Sequence, residues 1–412
     1  MNKSPRLVAL ETLYSIFYDG SYSNIALDKA LSDIKENKAF ISALVYGVTE
    51  RKITLDYFID KYAQGRIKPK VRIVLWLGAY QLLFMDKVPS SASINESVKL
   101  VKEIKQDYYS KLVNAVLHKI DNDRQIPDDL SVKYSVPENL INMWKKQYGE
   151  DVLNEFFPCI NDKPPLFAIP NKKFVNSDEL LYELECDGIL GEAYDEFVLI
   201  ENANDLTDSK AFKNGLFYIE DLSSFNCANA LDALGDDLVL DMCSAPGGKA
   251  FTISQSMNNS GKIYCYDLHE HRLNLIKSSA KRLSIDNIYT DVNDATVYNE
   301  NIPKADKILC DVPCSGFGII RRKPEIRYKD LDSVKDLPQI QYKILETSSR
   351  YLKDGGRIIY STCTLNKKEN ENVVNKFLKD HSGYKLLKDK TVFPSTVGGD
   401  GFYYAIMVKN EN

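Results

Sequence analysis

At 412 residues, 44% apolar and 27% charged, the chain is too long for one core and reads as a soluble protein of two or three domains. Met1 to Ser4 opens no apolar signal segment. The longest apolar run, Val71–Met85, is interrupted by Arg72 and Gln81 and falls short of the roughly 18–20 residues that span a bilayer, so a buried helix is expected there and neither a signal peptide nor a membrane span. Eight cysteines without C-x-x-C spacing predict free thiols in a reducing cytoplasm.

The net charge of −5 divides into +6 over residues 1–120 and −11 over the remainder. A basic N-terminal part predicts an anionic partner for it, although a lysine-rich solvated surface fits the charge equally well. In this part Ser4-Pro5 offers an N-cap and a proline at N1, and Leu7, Leu10, Leu13, Tyr14 and Phe17 recur at helical spacing up to Asp19-Gly20. Further helices are predicted over Asn24–Lys35, Lys38–Arg51, Ile53–Tyr62, Pro69–Met85, Ser91–Glu103 and Lys111–Ile120. The stretches SPRLVALETLYSIFYDGSYSN, FISALVYGVTERKITLDYFIDKY, VRIVLWLGAYQLLFMDKVPSSASINESVKLVK and KLVNAVLHKI resemble the NusB-type RNA-binding domain. That resemblance implies a helical bundle over residues 1–125 that meets RNA through basic surface groups. Arg66, Lys68, Lys70 and Arg72 are the candidates for phosphate contacts.

Asp121–Pro137 is polar and reads as a linker, Val136–Phe157 as a helix. PLFAIPN, SDELLYELECDG and EAYDEFVLIEN then suggest strand, helix and strand, a small α/β connector over residues 126–215. From residue 216 onward, strand-like runs alternate with helical stretches: Asp237–Leu240, Lys262–Tyr266, Asn287–Tyr289, Lys307–Cys310, Arg357–Tyr360 and Phe402–Val408. This alternation predicts a doubly wound, Rossmann-like α/β sheet, and the chain as a whole is multidomain.

In LVLDMCSAPGGKAFTISQSM an Asp closes a strand and Gly247-Gly248 opens a helix, which lets a ligand approach the backbone and free N–H groups. The turn lacks both the P-loop and the full dinucleotide pattern. Asp267, about twenty residues further on, suits a ribose; Asp294 could accept from an adenine amino group; Asp311 ends the fourth strand. Three carboxylates along one sheet edge repel a further phosphate and favour a nucleoside cofactor of positive charge. S-adenosyl-L-methionine fits better than NAD.

Two cysteines follow neighbouring strand tips, Cys314 in DVPCSG and Cys363 in YSTCTL. Nitrogen and oxygen acceptors need no thiol for methylation, but carbon 5 of cytosine does. A thiolate added to carbon 6 makes carbon 5 nucleophilic, and a second thiol can help dissolve the adduct. A buried packing role is the ordinary reading for either cysteine alone.

DMCSAPGGK, DVPCSGFGIIRRKPEIRY and GGRIIYSTCTLNKKENENVV resemble the RNA cytosine-C5 methyltransferases of the Sun family, Fmu or RsmB in bacteria, and GLFYIEDLSS and GDGFYYAIMVK fit as well. The resemblance implies methylation of small-subunit (16S) ribosomal RNA; a monomer is expected. It implies Cys363 as the nucleophile and Cys314 as the cysteine that assists release. It also implies cofactor contacts from Cys243, Ser244, Ala245, Pro246, Gly247, Gly248, Lys249, Asp267, Asp294 and Asp311, with Lys249 and Asp311 also approaching the cytosine. Asn293 departs from the usual Gly and Glu220 from the usual Gln. Arg321, Arg322, Lys323 and Arg327 follow the active-site loop and could grip the RNA backbone, or could form a solvated run. His269 and His271, two apart on a helix and without a cysteine pair, predict no metal. The rival readings are a non-catalytic RNA-binding or ribosome-assembly factor and a transfer-RNA cytosine-C5 methyltransferase.

Overall fold

The computed structural model describes residues 3–202, 206–395 and 398–411. They fall into two compact units, one of Met1–Asn161 with Ile320–Leu331, the other of Asp162–Ile319 with Asp332–Asn412. The first unit is helical: α1 (Pro5–Tyr18), α2 (Ser23–Leu31), α3 (Lys38–Tyr62), α4 (Pro69–Phe84), α5 (Ser90–Glu103), α6 (Ser110–Asn122), α7 (Leu130–Tyr134), α8 (Glu138–Tyr148) and α9 (Glu150–Phe156). Ser4 accepts from the Leu7 N–H, so the expected cap forms, and Leu10, Leu13, Leu44, Phe58, Val74 and Leu117 close one buried core.

Two expectations fail here. Lys38–Arg51 and Ile53–Tyr62 are one 25-residue helix, because no breaker separates them and the buried face runs on through Thr49, Thr54 and Leu55. Val136–Phe157 is two helices: Pro137 precedes the first, and Gly149 at φ +89° turns the chain into the second. These helices join the bundle rather than a separate connector, and so does Ile320–Leu331.

The second unit holds two sheets. The smaller comprises β1 (Leu166–Pro170), β2 (Gly191–Ala193), β3 (Val198–Ile200) and β4 (Phe217–Ile219) in the antiparallel order β2-β3-β1-β4, with α10 (Ser177–Cys186) and α11 (Lys210–Lys213). Phe167, Ile169 and Tyr218 of this sheet share a core with Ala250, Phe251 and Ile253 beside the glycine turn.

The larger sheet contains β5 (Leu238–Asp241), β6 (Lys262–Asp267), β7 (Ile288–Val292), β8 (Ala305–Asp311), β9 (Leu352–Thr362), β10 (Tyr384–Val392) and β11 (Phe402–Lys409). Its helices are α12 (Leu222–Asn229), α13 (Gly248–Ser256), α14 (Glu270–Arg282), α15 (Leu337–Ser349) and α16 (Glu371–Asp380). The order is β10-β11-β9-β8-β5-β6-β7, parallel from β9 to β7 and antiparallel at β10 and β11. The chain reverses direction of growth between β5 and β8, and the strand ends there form the crevice where such sheets bind ligands. β10 was not expected from the sequence. Its lysine-rich pattern is that of an exposed edge strand. Among the described residues, no helix is long and apolar enough to cross a membrane.

Candidate active site

β8 and β9 pair in parallel, with Cys310 opposite Tyr360 and Asp311 opposite Ser361, so both cysteine loops leave the same sheet edge. The Cys314 and Cys363 sulfurs are 3.2 Å apart. Both side chains are part-exposed, whereas Cys159, Cys227, Cys265 and Cys310 are buried. The hydrogen bond to Cys363, followed by burial, pushes the Cys314 thiol well above its ordinary value. Burial pushes Cys310 up to about 12 and also raises Cys243, so neither is a ready thiolate.

The two loops are also joined through their backbones. Gly318 N–H donates to the Cys363 carbonyl at 3.1 Å, and Gly401 N–H donates to the Gly318 carbonyl at 2.9 Å. A Cβ on Gly318 would fall 2.0 Å from the Gly401 carbonyl oxygen, so this approach requires glycine.

Asp311, at the tip of β8, accepts from Lys249 Nζ at 2.7 Å through Oδ2 and from Ser361 Oγ at 2.7 Å through Oδ1. Lys249 also donates to Ser224 Oγ at 3.0 Å and lies over the Phe402 ring. Burial pulls the Lys249 ammonium down, but Asp311, helped by other neighbours, outweighs it and holds the group charged.

The glycine turn leads from β5 into α13. Gly247 sits at φ +109°, where a Cβ would meet the Phe251 ring at 2.9 Å. No side chain caps the first turn of α13, which leaves its N–H groups for a ligand. Asp241, the strand-closing Asp of the glycine-turn stretch, to which the sequence assigned no role in the site, is fully buried at the end of β5, and burial pushes its carboxyl up to about 7. Ser244 lies near enough to temper that shift, yet its Oγ and Asp241 Oδ1 both lack a hydrogen-bond partner. Two orphaned polar atoms beside an open helix N-terminus fit a polar ligand seated on the turn.

Asp267, at the tip of β6, is 3% exposed and pairs with Arg272 Nη1 at 2.9 Å, while Arg272 Nη2 reaches the Ala245 carbonyl at 2.8 Å. Ser244 N–H donates to the Tyr266 carbonyl and Asn293 N–H to the Asp267 carbonyl, which draws the turns after β5, β6 and β7 together. Asp294 is exposed and accepts from the N–H and Oγ1 of Thr296 at 2.9 and 2.6 Å. The residues from Cys243 to Lys249, with Asp267, Asp294 and Asp311, therefore line one strand-end edge. Glu220 is buried beside this turn, accepts from Thr252 Oγ1 at 2.5 Å, and is pushed up to about 7 by burial.

Among the expected RNA contacts, Arg327 is corrected. It is 1% exposed, and Nη1 donates to the Glu50, Tyr134 and Ser135 carbonyls and to Asn161 Oδ1, at 2.8–3.3 Å. It braces the helical unit and offers no surface charge. Arg321, at 3% exposure, is likewise withdrawn from solvent. Arg72 is engaged with Asp56 and Asp60 in a partly buried cluster, so its charge is already matched. Arg66, Lys68 and Lys70 are exposed, and Arg322 and Lys323 are half-exposed. Among the described residues, no group of three or more His, Cys, Asp or Glu could hold a metal ion.

Two family models match the chain: "16S rRNA methyltransferase RsmB/F" over residues 228–408 and "NusB family" over residues 3–122. The chain is 33% identical to "Probable ribosomal RNA small subunit methyltransferase B" of Bacillus subtilis, over 98% of this chain and 99% of that protein. It is 28% identical to "Ribosomal RNA small subunit methyltransferase B" of Photorhabdus laumondii, over 98% of each. The crystal structure of a protein designated PH0851 superposes with a TM-score of 0.81 at 27% identity, covering 99% of this chain and 100% of that one. With the strand-end crevice, the glycine turn and the helical N-terminal region in place, these matches make the chain a member of the RsmB/F family, an rRNA methyltransferase that uses S-adenosylmethionine.

Proposed function

We propose that the methyl acceptor is carbon 5 of a cytosine in 16S ribosomal RNA, reached through a covalent Cys363–cytosine adduct. The observation that carries this reading is the 3.2 Å approach of the sulfurs of two half-buried cysteines, with the Lys249–Asp311 pair on the same strand-end edge. Cys314, held as the thiol, donates its proton toward the Cys363 sulfur and stabilises negative charge there. The Cys363 thiolate adds to carbon 6, and the displaced π pair makes carbon 5 an enamine carbon. S-adenosylmethionine, held by the glycine turn with Asp267 and Asp294, supplies the methyl group. Once Cys363 is bonded to carbon, Cys314 no longer faces the thiolate that raised it most and gives up its proton to solvent. It then takes the proton from carbon 5 while the carbon–sulfur pair returns to Cys363 as thiolate. Asp311 and Lys249 orient the cytosine ring, and the exposed Arg66, Lys68 and Lys70 contact phosphates.

The test is methyl transfer from labelled cofactor to unmodified 16S RNA, with the product base identified. Cys314→Ala accumulates a covalent protein–RNA adduct and Cys363→Ala forms none. Adduct on the Cys363 variant reverses the two roles, and transfer to any atom other than carbon 5 removes the reading.

A further inference from the structure

Both sulfur-bearing loops are tied to one buried carboxylate that the chemistry above does not use. Glu369 is 0% exposed. Its Oε2 accepts from the Ser315 N–H at 2.9 Å and Gln341 Nε2 at 3.0 Å; its Oε1 accepts from Ser315 Oγ at 2.6 Å and Asn366 Nδ2 at 2.9 Å. Ser315 follows Cys314, and its Oγ lies 2.7 Å from Oγ1 of Thr364, which follows Cys363. Thr364 Oγ1 accepts from the Phe317 N–H at 3.2 Å, and Gln341 Nε2 also holds the Pro313 carbonyl at 2.9 Å. Asn370 Nδ2 donates to the Thr364 carbonyl at 2.9 Å. The residues on both sides of Cys314, and the one after Cys363, thus hang from a single cluster.

The four donors on Glu369 are neutral N–H and O–H groups, and its two carboxyl oxygens are the acceptors that meet all of them at once. A buried polar group left without its partner is costly, so the cluster resists any distortion that turns a donor away. We infer that Glu369 is a positioning residue that fixes the separation of the Cys314 and Cys363 sulfurs by clamping both loops. The inference rests on the two-cysteine reading for its catalytic consequence, but not for its geometry.

Glu369→Gln keeps the volume and replaces two acceptor sites with donors, so whichever way the amide turns, donors face donors. Two readouts are taken. The first is the rate at which diamide closes a Cys314–Cys363 disulfide, two thiols yielding two electrons and two protons to the azo bond. The second is single-turnover methyl transfer, with RNA KM and cofactor affinity measured alongside. Glu369→Gln is expected to slow disulfide closure by about 10-fold and methyl transfer by about 30- to 100-fold, with KM and cofactor affinity within about twofold. Glu369→Asp recovers part of both rates. Ser315→Ala removes one of the four donors and the link to Thr364; it is expected to lower both rates by about 3- to 10-fold, and it carries the test if Glu369→Gln does not fold. Wild-type disulfide and transfer rates in these variants overturn the inference. If the wild-type chain transfers no methyl group while the variants still slow disulfide closure, the catalytic reading falls and the positioning role stands.

Discussion

Glu220→Gln isolates the effect of a buried carboxyl beside the cofactor turn. Glu220 is 7% exposed, lies where a Cβ on Gly248 would come within 3.2 Å of its Oε1, and accepts from Thr252, itself bonded to the Tyr218 hydroxyl at 2.7 Å. Burial raises its carboxyl from 4.5 to about 7, against the opposing pull of Lys249. The folded chain therefore keeps a proton that the unfolded chain has lost, and stability falls as pH rises between the two values. At about 1.4 kcal/mol per unit, the penalty is about 3 kcal/mol above pH 7 and under about 1 kcal/mol at pH 5. The glutamine amide retains an acceptor for Thr252 and carries no charge. The free energy of unfolding of Glu220→Gln minus that of wild type, from urea titrations of the full chain, is expected to grow by about 2.5 kcal/mol from pH 5 to pH 8.5. A difference that stays constant across that range refutes the reasoning, because a lost or gained contact alone carries no pH dependence.

Two further outcomes follow from the same geometry. Arg327→Ala removes a guanidinium that donates to four carbonyls and an amide oxygen, and should destabilise the helical unit by about 2–4 kcal/mol. The salt dependence of RNA binding should be unchanged; a slope reduced by about one would mean that Arg327 is a phosphate contact after all. Asp267→Asn breaks the ion pair with Arg272 and is expected to weaken S-adenosylmethionine binding by about 10-fold in calorimetry, while an unchanged affinity would remove Asp267 from the ribose contacts.

What the sequence made legible was local or periodic. Leu7, Leu10 and Leu13 recur at the helical interval after a Ser-Pro cap, and α1 begins and ends where they indicate. Asp241, Asp267 and Asp311 close strands whose apolar runs can be read without knowing their neighbours. What stayed hidden depends on partners far along the chain. Arg327 looks like the end of a charged surface run because its acceptors, Glu50 and Tyr134, lie 277 and 193 residues away. Glu369 sits in NKKENEN, seven polar residues that give no local sign of burial, yet it is buried and bonded by donors from Ser315 and Gln341. Arg72 lies in a basic stretch whose charge is answered by Asp56 and Asp60 of the preceding helix. The edge strand β10 escaped notice because exposed lysines mask its alternation.

The lodging of Ile320–Leu331 among the helices has a practical result for anyone dividing this gene. A fragment beginning near residue 162 would still carry that segment, with Ile320, Ile326 and the Arg327 guanidinium stripped of their surroundings. Such a piece would display a greasy, charge-bearing loop six residues beyond the thiol at Cys314, and clumping during expression is the outcome to anticipate. The first unit takes a piece of chain from within the second, so a clean cut needs twelve residues removed from the middle as well as a new starting codon.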